Sequence, residues 1–255
     1  MAATRSGHRA ADALRPVEVT TGFHRNAEGS VFYRAGGTVV LAAASVEEVV
    51  PEFMRGRGRG WVTAEYQMHP RANPHRRESR DGRDRPLSGR AREIQRLVGR
   101  ALRAAVDLDR LGERTIAIDC DVFEADGGTR TASVTAGWIA LALALSTLRE
   151  RRVLEIPVLR DPVAAVSAGH VGGRLLLDLD YAEDSTARVD LNLVATERGA
   201  IVEIQGTAEG EAIPRAELDA MMDLALRGVS ELCRRQREAL AGAGVDLGVL
   251  MLVRG

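Results

Sequence analysis

Alternating apolar and polar positions mark the strands of this chain of 255 residues. Period-two alternation places successive side chains on opposite faces of a sheet, so each such run predicts a half-buried strand. Strand-like runs, of which 115–123 alternates most clearly, cover residues 16–20, 30–34, 39–44, 60–68 and 115–123, and then 163–167, 174–180, 189–195 and 201–205. Between the second and third runs, Ala35, Gly36 and Gly37 predict a hairpin turn.

Apolar residues with helical spacing predict three long helices. The first follows Ser88, a predicted N-cap, and carries an arginine stripe opposite its apolar face. The apolar residues are Ile94, Leu97, Val98, Ala101, Leu102, Ala105 and Val106, and the stripe is Arg92, Arg96, Arg100 and Arg103. The second helix starts at Thr131 and is apolar on nearly all sides, which predicts a central, buried position. The third covers about residues 215–240.

Several strands followed by a helix occur twice along the chain. This order predicts an α/β fold, of the α+β kind, in which two similar αβ halves pack as one domain over residues 1–255. We expect the first half at about residues 1–155, the second at 156–241, and a tail without an assigned role at 242–255. The two halves share no sequence identity that would prove an internal repeat.

Composition bears on where the protein is located. With 45% hydrophobic residues, the chain is long enough to bury a full core. Its longest apolar run, near residues 138–145, is too short to span a bilayer, so we expect a cytoplasmic protein with no membrane partner. Cys120 and Cys233 are the two cysteines, and without metal-ligand spacing around them we expect both to be reduced and structural.

Positive charge is concentrated in the first part of the chain. Residues 1–103 hold 19 Arg and 11 acidic residues, whereas residues 104–255 hold 16 Arg and 25 acidic residues. Residues 55–103 alone hold 14 Arg and 5 acids, interleaved with Trp61, Tyr66, His69 and His75. Much of this excess lies in a polar stretch with prolines at 71–87, which predicts a long loop. Charge runs are usually solvated faces, but a basic loop with aromatic neighbours is also typical of RNA binding.

A predicted strand, a glycine turn and a helix start follow one another at residues 115–131. The turn consists of Gly127, Gly128, Thr129, Arg130 and Thr131. N–H groups at a helix start carry partial positive charge, glycines let a ligand approach the backbone, and Arg130 adds donors that match phosphate. The turn therefore predicts an anion site. An ordinary strand-to-helix turn capped by threonine is the alternative, and the glycine pair alone favours it.

Aspartates cluster in the second half. Asp178 and Asp180 are two apart in a predicted strand, so we expect them on one face about 6–7 Å apart. Asp184 follows in a short turn, and Asp190 opens the next strand with Asn192 on its own face. Such carboxylates repel one another unless a cation lies among them, and Mg²⁺ prefers oxygen ligands. The alternative is a turn of solvated acids. Together with the anion site and the basic track, the cluster predicts phosphoryl transfer on a nucleic acid backbone.

Nine short segments resemble the bacterial ribonuclease PH family. They lie between about residues 14 and 240, and the longer ones are highly specific. They are LRPV at 14–17, EGSV at 28–31, GWVTAEY at 60–66, SGR at 88–90, EIQRLVGR at 93–100, DCDV at 119–122, ADGGTRT at 125–131, EDS at 183–185 and EIQGT at 203–207.

The resemblance implies a phosphate-dependent 3′-to-5′ exoribonuclease that trims the 3′ ends of tRNA precursors and releases nucleoside diphosphates. It extends to the reverse addition of nucleotides from diphosphates, and to rRNA and other structured RNA as substrates. The implied fold is like the second domain of ribosomal protein S5, with mixed sheets, and the implied assembly is a homohexamer, a trimer of dimers.

The resemblance also implies roles for individual residues. The phosphate-binding residues are Arg90, Gly128, Thr129 and Arg130. Asp178 and Asp184 match the catalytic aspartates, which are also associated with Mg²⁺. The RNA-binding arginines of the loop are Arg71, Arg76, Arg77 and Arg80.

Two departures from the family pattern affect these expectations. Gly7, His8 and Arg9 stand where an Asp-Gly-Arg motif is frequent. Arg188 stands where an acidic residue is common, and we expect it to pair with Asp190 or to weaken metal binding. Two other classes of protein stay open. An inactive ring subunit that only binds RNA does not explain the complete catalytic set, and a small-molecule phosphotransferase leaves the arginine loop unexplained.

Overall fold

The computed structural model describes residues 5–78 and 86–253, and five strands form its first sheet. They are β1 (Val17–Thr21), β2 (Gly29–Ala35), β3 (Thr38–Glu47), β4 (Trp61–Met68) and β5 (Thr115–Glu124). The order is β1-β2-β3-β5-β4, with β4 and β5 parallel and the other pairs antiparallel. Ala35 pairs with Thr38 across the two glycines between them, so the predicted hairpin is confirmed.

Four antiparallel strands form the second sheet, in the order β7-β6-β8-β9. They are β6 (Val163–Val171), β7 (Arg174–Leu177), β8 (Val189–Thr196) and β9 (Ile201–Ala208). The helices are α1 (Gly89–Ala104), α2 (Leu108–Leu111), α3 (Thr129–Glu150), α4 (Tyr181–Asp184), α5 (Arg215–Gly242) and α6 (Leu247–Leu250), with short 3-10 turns at Ser6–His8 and Glu52–Met54.

Helix α3 joins the two halves. It packs against β2, β3 and α1 on one side and against β6 and α5 on the other. Its large side chains Trp138, Ile139 and Leu141 are fully buried, as the all-round apolar pattern predicts. We expected no apolar run long enough to span a bilayer, but α3 is long and apolar enough to do so. Of its most apolar 18-residue stretch, 83% is buried within the protein, as in the core helix of a globular domain. The predicted α/β architecture with two αβ halves is confirmed.

Helix α1 covers β4 and presents its arginines outward, with one exception. The Ser88 side chain accepts a hydrogen bond from the Ala91 N–H at 3.1 Å, so the predicted N-cap is confirmed. Arg92, Arg96 and Arg100 are exposed. Arg103 instead lies over the Trp61 ring, 4.5 Å from its centroid, and donates to the Val62 carbonyl at 2.8 Å. Arg103 is therefore not part of the exposed arginine stripe, because its guanidinium forms a cation–π contact with the Trp61 ring.

The tail, to which the sequence pattern assigned no role, is part of the fold. The Leu250 carbonyl accepts hydrogen bonds from the N–H groups of Val158 and Leu159, and the Leu252 N–H donates to Leu159 at 2.7 Å. The tail thus pairs with the segment that connects the two halves.

Both cysteines are buried and unpaired, as predicted. Burial raises the pKa of the Cys120 thiol and of the Cys233 thiol to about 12, so both stay protonated at neutral pH.

Close packing of β2 on α3 predicts the effect of a single methyl group. A Cβ at Gly29 would overlap the Ala140 carbonyl and the Ala144 nitrogen of α3. Because both obstacles are backbone atoms, Gly29→Ala must move the strand, and we expect the free energy of unfolding to fall by about 1–3 kcal/mol. The measurement is urea denaturation. In the control, Gly242→Ala, the added Cβ meets open space at the end of α5, so a change below about 1 kcal/mol is expected. Equal stabilities of the two variants would contradict this packing.

Candidate active site

A cleft of about 1020 Å³ lies between the glycine turn, the start of α1, helix α4 and the loop that follows β4. Predicted site residues from four separate stretches of sequence line this one cleft: Arg71, Arg76, Arg90, Gly128, Thr129 and Asp184. The fold therefore brings the predicted anion site, one predicted catalytic aspartate and part of the basic loop together.

The glycine turn has the geometry of an anion site. Gly127 and Gly128 have φ angles of 75° and 64°, a left-handed backbone that glycine adopts without strain. Helix α3 begins at Thr129, two residues before the predicted start, so Thr129 and Arg130 lie in its first turn. The first N–H groups of a helix have no acceptor within the helix, and they are available to an anion.

The turn is in direct contact with the backbone that leads to Asp184. A Cβ at Gly127 would lie 2.7 Å from the Leu179 carbonyl oxygen and 2.8 Å from the Tyr181 nitrogen. Only glycine permits this approach. Contact between main chains thus fixes the distance between the predicted phosphate site in the first half and the acidic segment in the second.

A buried ion pair holds the turn from the other side. The Arg15 Nη2 and Nε atoms donate to Asp178 at 2.7 and 3.1 Å, and the Arg15 backbone N–H donates to the same carboxylate at 2.8 Å. Arg15 Nη1 donates to the Asp126 carbonyl at 2.6 Å. The Arg15 and Asp178 side chains are 4% and 9% exposed, so the pair is almost excluded from solvent. Burial alone would lower the pKa of Arg15, but the Asp178 carboxylate holds it above its ordinary value.

The expectation that Asp178 and Asp180 share one face of a strand is wrong. Strand β7 ends at Leu177, and Asp178 turns the chain with a φ of 54°. Asp180 caps α4, accepting the Glu183 N–H at 2.9 Å and the Ser6 hydroxyl at 2.6 Å. Both carboxylates are thus engaged in holding the backbone. Asp184 lines the cleft, whereas Asp178 and the predicted phosphate-binding residue Arg130 are not among its lining residues.

Four charged groups influence one another beside α4, and two of them, Arg90 and Asp184, line the cleft. Burial, and then the charge of Asp190, raise the pKa of Asp184, while Arg130 and Arg90 act to lower it. Burial also raises the pKa of Asp190, against the effect of Arg130. Arg130 is held in place by Gln205 Oε1 at 2.7 Å and by Glu93 Oε1 at 3.2 Å.

Tyr66 orients the threonine of the anion site. Its hydroxyl donates to Thr129 Oγ1 at 2.9 Å. Burial raises the pKa of the phenol, which keeps it a neutral donor. Since Thr129 already accepts this bond, its own proton is free to point toward a ligand. The Tyr66 ring is 3% exposed, so it is not open to RNA as an aromatic neighbour of the basic stretch, and its place in the GWVTAEY segment is the sequence signal that could have pointed to the site.

The arginines of the loop differ in position. Arg71 and Arg76 line the cleft, and Arg76 pairs with Glu78 at 2.8 Å while staying 71% exposed. Arg77 is exposed but is not among the lining residues. Arg80 lies outside the described residues. Residues 71–78 and 86–87 have neither helix nor strand, in agreement with the predicted loop.

Both departures from the family pattern have structural explanations. Arg188 donates to Glu217 and lies 3.4 Å from His170 Nδ1, so the expected pair with Asp190 is not formed. Arg9 lies 3.3 Å from the Glu183 carboxylate, and buried Arg5 donates to the same group at 2.7 Å. The N-terminal segment therefore supports α4 through Glu183.

Fold and site together define an α/β protein whose cleft presents an arginine, a helix start and a carboxylate to solvent. Models of the 3′ exoribonuclease family match the chain, domain 1 over residues 13–146 and domain 2 over residues 161–228. Ribonuclease PH of Solibacter usitatus (strain Ellin6076) is 51% identical over 238 residues, which is 93% of this chain and 100% of that protein. The chain belongs to the 3′ exoribonuclease family, and as a member of it the protein is a phosphorolytic exoribonuclease.

Solved structures agree on the fold. Rice (Oryza sativa) Rrp46 has a TM-score of 0.74 at 18% identity, with 92% of this chain and 100% of that chain covered. A chain of the Archaeoglobus fulgidus exosome with RNA bound to the active site has a TM-score of 0.72 at 23% identity, covering 91% and 92% of the two chains.

Different roles for Asp178 and Asp184 predict different effects on stability. Asp178→Asn leaves the buried Arg15 guanidinium without its counter-charge, and we expect the free energy of unfolding to fall by about 3–5 kcal/mol. Asp184→Asn removes a charge on which no buried cation among the described residues depends, and it should alter the free energy of unfolding by less than about 1 kcal/mol. Urea denaturation without Mg²⁺ or phosphate measures both. If Asp178→Asn is as stable as the parent, Asp178 does not hold the turn.

Proposed function

We propose that this exoribonuclease binds inorganic phosphate at the first turn of α3 and uses it to cleave the last phosphodiester of an RNA 3′ end. One observation carries the proposal: Arg90, Thr129 and the glycine turn at a helix start line one cleft with Asp184, and Arg130 lies in the first turn of that helix. These donors suit a small dianion that approaches along the cleft.

The proposed phosphate site consists of groups held before the ligand arrives. Gly128 offers backbone without a side chain, and Tyr66 sets the orientation of Thr129. Gln205 and Glu93 hold Arg130, whose side chain is 21% exposed. Arg90, at the start of α1, is exposed and lines the cleft. Donors that need little reorganisation contribute most to stabilising charge in a transition state.

The proposed reaction is an in-line displacement. An oxygen of hydrogen phosphate attacks the phosphorus of the last phosphodiester and forms the new P–O bond of a nucleoside diphosphate. The bond from phosphorus to the 3′ oxygen of the shortened RNA breaks, and the proton of the hydrogen phosphate ends on that oxygen. We place Asp184 beside this leaving oxygen. Positioning and charge neutralisation supply most of the rate, and no covalent nucleophile is required.

We further propose that Mg²⁺ binds at Asp184 together with Asp190. Burial raises the pKa of both carboxyls, and Asp190 adds to the effect on Asp184, so the pair gains stability from a nearby cation. Carboxylate oxygens are the ligands that this ion prefers. When bound, the ion would neutralise negative charge on the reacting phosphoryl group. Asp178 is not included, because Arg15 engages both of its oxygens.

The proposed substrates are tRNA precursors, with rRNA and other structured RNA as further substrates and nucleotide addition from diphosphates as the reverse reaction. The proposed assembly is a homohexamer, a trimer of dimers, in the cytoplasm. Support comes from the 51% identity to a Ribonuclease PH over that protein's full length. In the described part of the site, no contact favours the alternative of an RNA-binding subunit without activity.

Loss of either arginine of the anion site should abolish phosphorolysis. We expect Arg90→Ala and Arg130→Ala each to lower the rate of nucleoside diphosphate release by about 10²–10³-fold, because each removes a charged donor to the reacting phosphate. The assay incubates a 3′-extended tRNA with Mg²⁺, with and without phosphate, and RNA binding is measured in parallel. Arg110→Ala, an exposed arginine on α2 away from the cleft, is the control. Unchanged release in both site variants would refute the phosphate site.

Arginines of the loop should set the salt dependence of RNA binding. Each phosphate contact on a single strand contributes about 0.7 to the slope of log K against log salt. The triple variant with Arg71, Arg76 and Arg77 replaced by Ala should therefore lower the slope by up to about 2. Binding titrations between low and physiological salt measure it, with Arg110→Ala again as the control. An unchanged slope would show that these arginines do not contact the RNA.

A further inference from the structure

The ring of Tyr181 is exposed within the cleft. Its side chain is 51% exposed, and it lines the cleft together with Arg90, Thr129 and Asp184. An aromatic ring in this position presents a flat apolar face to whatever the cleft binds. We propose that Tyr181 is the stacking platform for a nucleobase that flanks the scissile phosphodiester, an inference that rests on the function proposed above.

Backbone contacts hold Tyr181 at a set distance from the phosphate site. Its N–H donates to Asp126 Oδ1 at 3.4 Å, and a Cβ at Gly127 would lie 2.8 Å from its nitrogen. Asp184 follows three residues later in α4, and side chains at this spacing are neighbours on one face of a helical turn. A base attached to a nucleotide that meets Asp184 is therefore within reach of the ring.

About half of the surface of Tyr181 is accessible at the wall of the cleft. In the described part of the chain, the ring contact of Tyr181 is with His75, at a centroid distance of 6.2 Å and an angle of 40°. At that distance and angle the two rings do not lie flat against each other. The cleft volume of about 1020 Å³ is large enough for a nucleotide beside them.

Stacking on an aromatic ring suits an enzyme that removes nucleotides one after another. Every base has a π face, so a ring accepts each base in turn, whereas hydrogen bonds to base edges would favour one of them. The ring also adds no charge to the site. Recognition of phosphate is thus left to Arg90 and Arg130, and the base is positioned independently of them.

The experiment compares Tyr181→Leu and Tyr181→Phe with Phe23→Leu as a matched control. Phe23 is another exposed ring, 57% exposed, and it is not among the residues that line the cleft. The substrate is RNA with a single-stranded 3′ extension and 2-aminopurine as its last or penultimate base, with an internal 2-aminopurine as reference. In buffer without phosphate, the parent protein and Tyr181→Phe should quench the probe at one of the two 3′ positions. Tyr181→Leu should leave it bright.

Kinetics with phosphate form the second arm. The KM for RNA should rise roughly tenfold in Tyr181→Leu, since the ring is lost, while the KM for phosphate stays within about twofold. Tyr181→Phe and Phe23→Leu should match the parent protein. Equal quenching by Tyr181→Leu and the parent, or an unchanged KM for RNA, overturns the platform and leaves phosphorolysis intact. Absence of diphosphate release by the parent overturns the proposed function instead, and the quenching arm still reports on stacking.

Discussion

The buried pair of Arg15 and Asp178 is the interaction on which the site depends. It joins three segments that are far apart in sequence: the chain before β1, the glycine turn and the chain after β7. Removing two charges from water is costly, and the pair is stable because the backbone N–H, Nε, Nη1 and Nη2 of Arg15 all donate to acceptors. Loss of one partner would leave a charge without compensation, so the turn and the acidic segment keep their positions together.

Placement of the site between the two halves follows from this constraint. The first half supplies the cations Arg90 and Arg130, and the second half supplies Asp184 and Asp190. Without Arg90 and Arg130, the Asp184 and Asp190 carboxylates would repel each other with less compensation, which is unfavourable. Across the contact between Gly127 and the backbone of residues 179–181, the opposite charges become neighbours. The same backbone contact places Tyr181 at the cleft, so the proposed base position and the phosphate position share one support.

Local patterns predicted most of the fold, and long-range contacts account for what they missed. Periodicity located every strand of both sheets and the long helices, because burial of one face leaves a regular signal. It wrongly placed Asp178 in a strand, because the alternating pattern of residues 174–180 continues past Leu177. Strand β7 ends at Leu177, and the next residue, Asp178, pairs with Arg15 instead. Periodicity likewise assigned Arg103 to an exposed stripe, because spacing along a helix carries no information about the Trp61 ring beneath it. Partners distant in sequence leave no local periodicity.

The charge of the site favours phosphate over water as the attacking group. A water molecule would have to lose its proton to a base during attack. In the proposed arrangement Asp184, whose pKa is raised by burial and by Asp190, lies beside the leaving oxygen and is not used to activate a nucleophile. Hydrogen phosphate brings its own negative charge and its own proton, and needs donors to hold it near a second phosphate. In the proposed site two arginines, a threonine hydroxyl and a helix start would provide those donors, and the barrier that they lower is the repulsion between nucleophile and substrate.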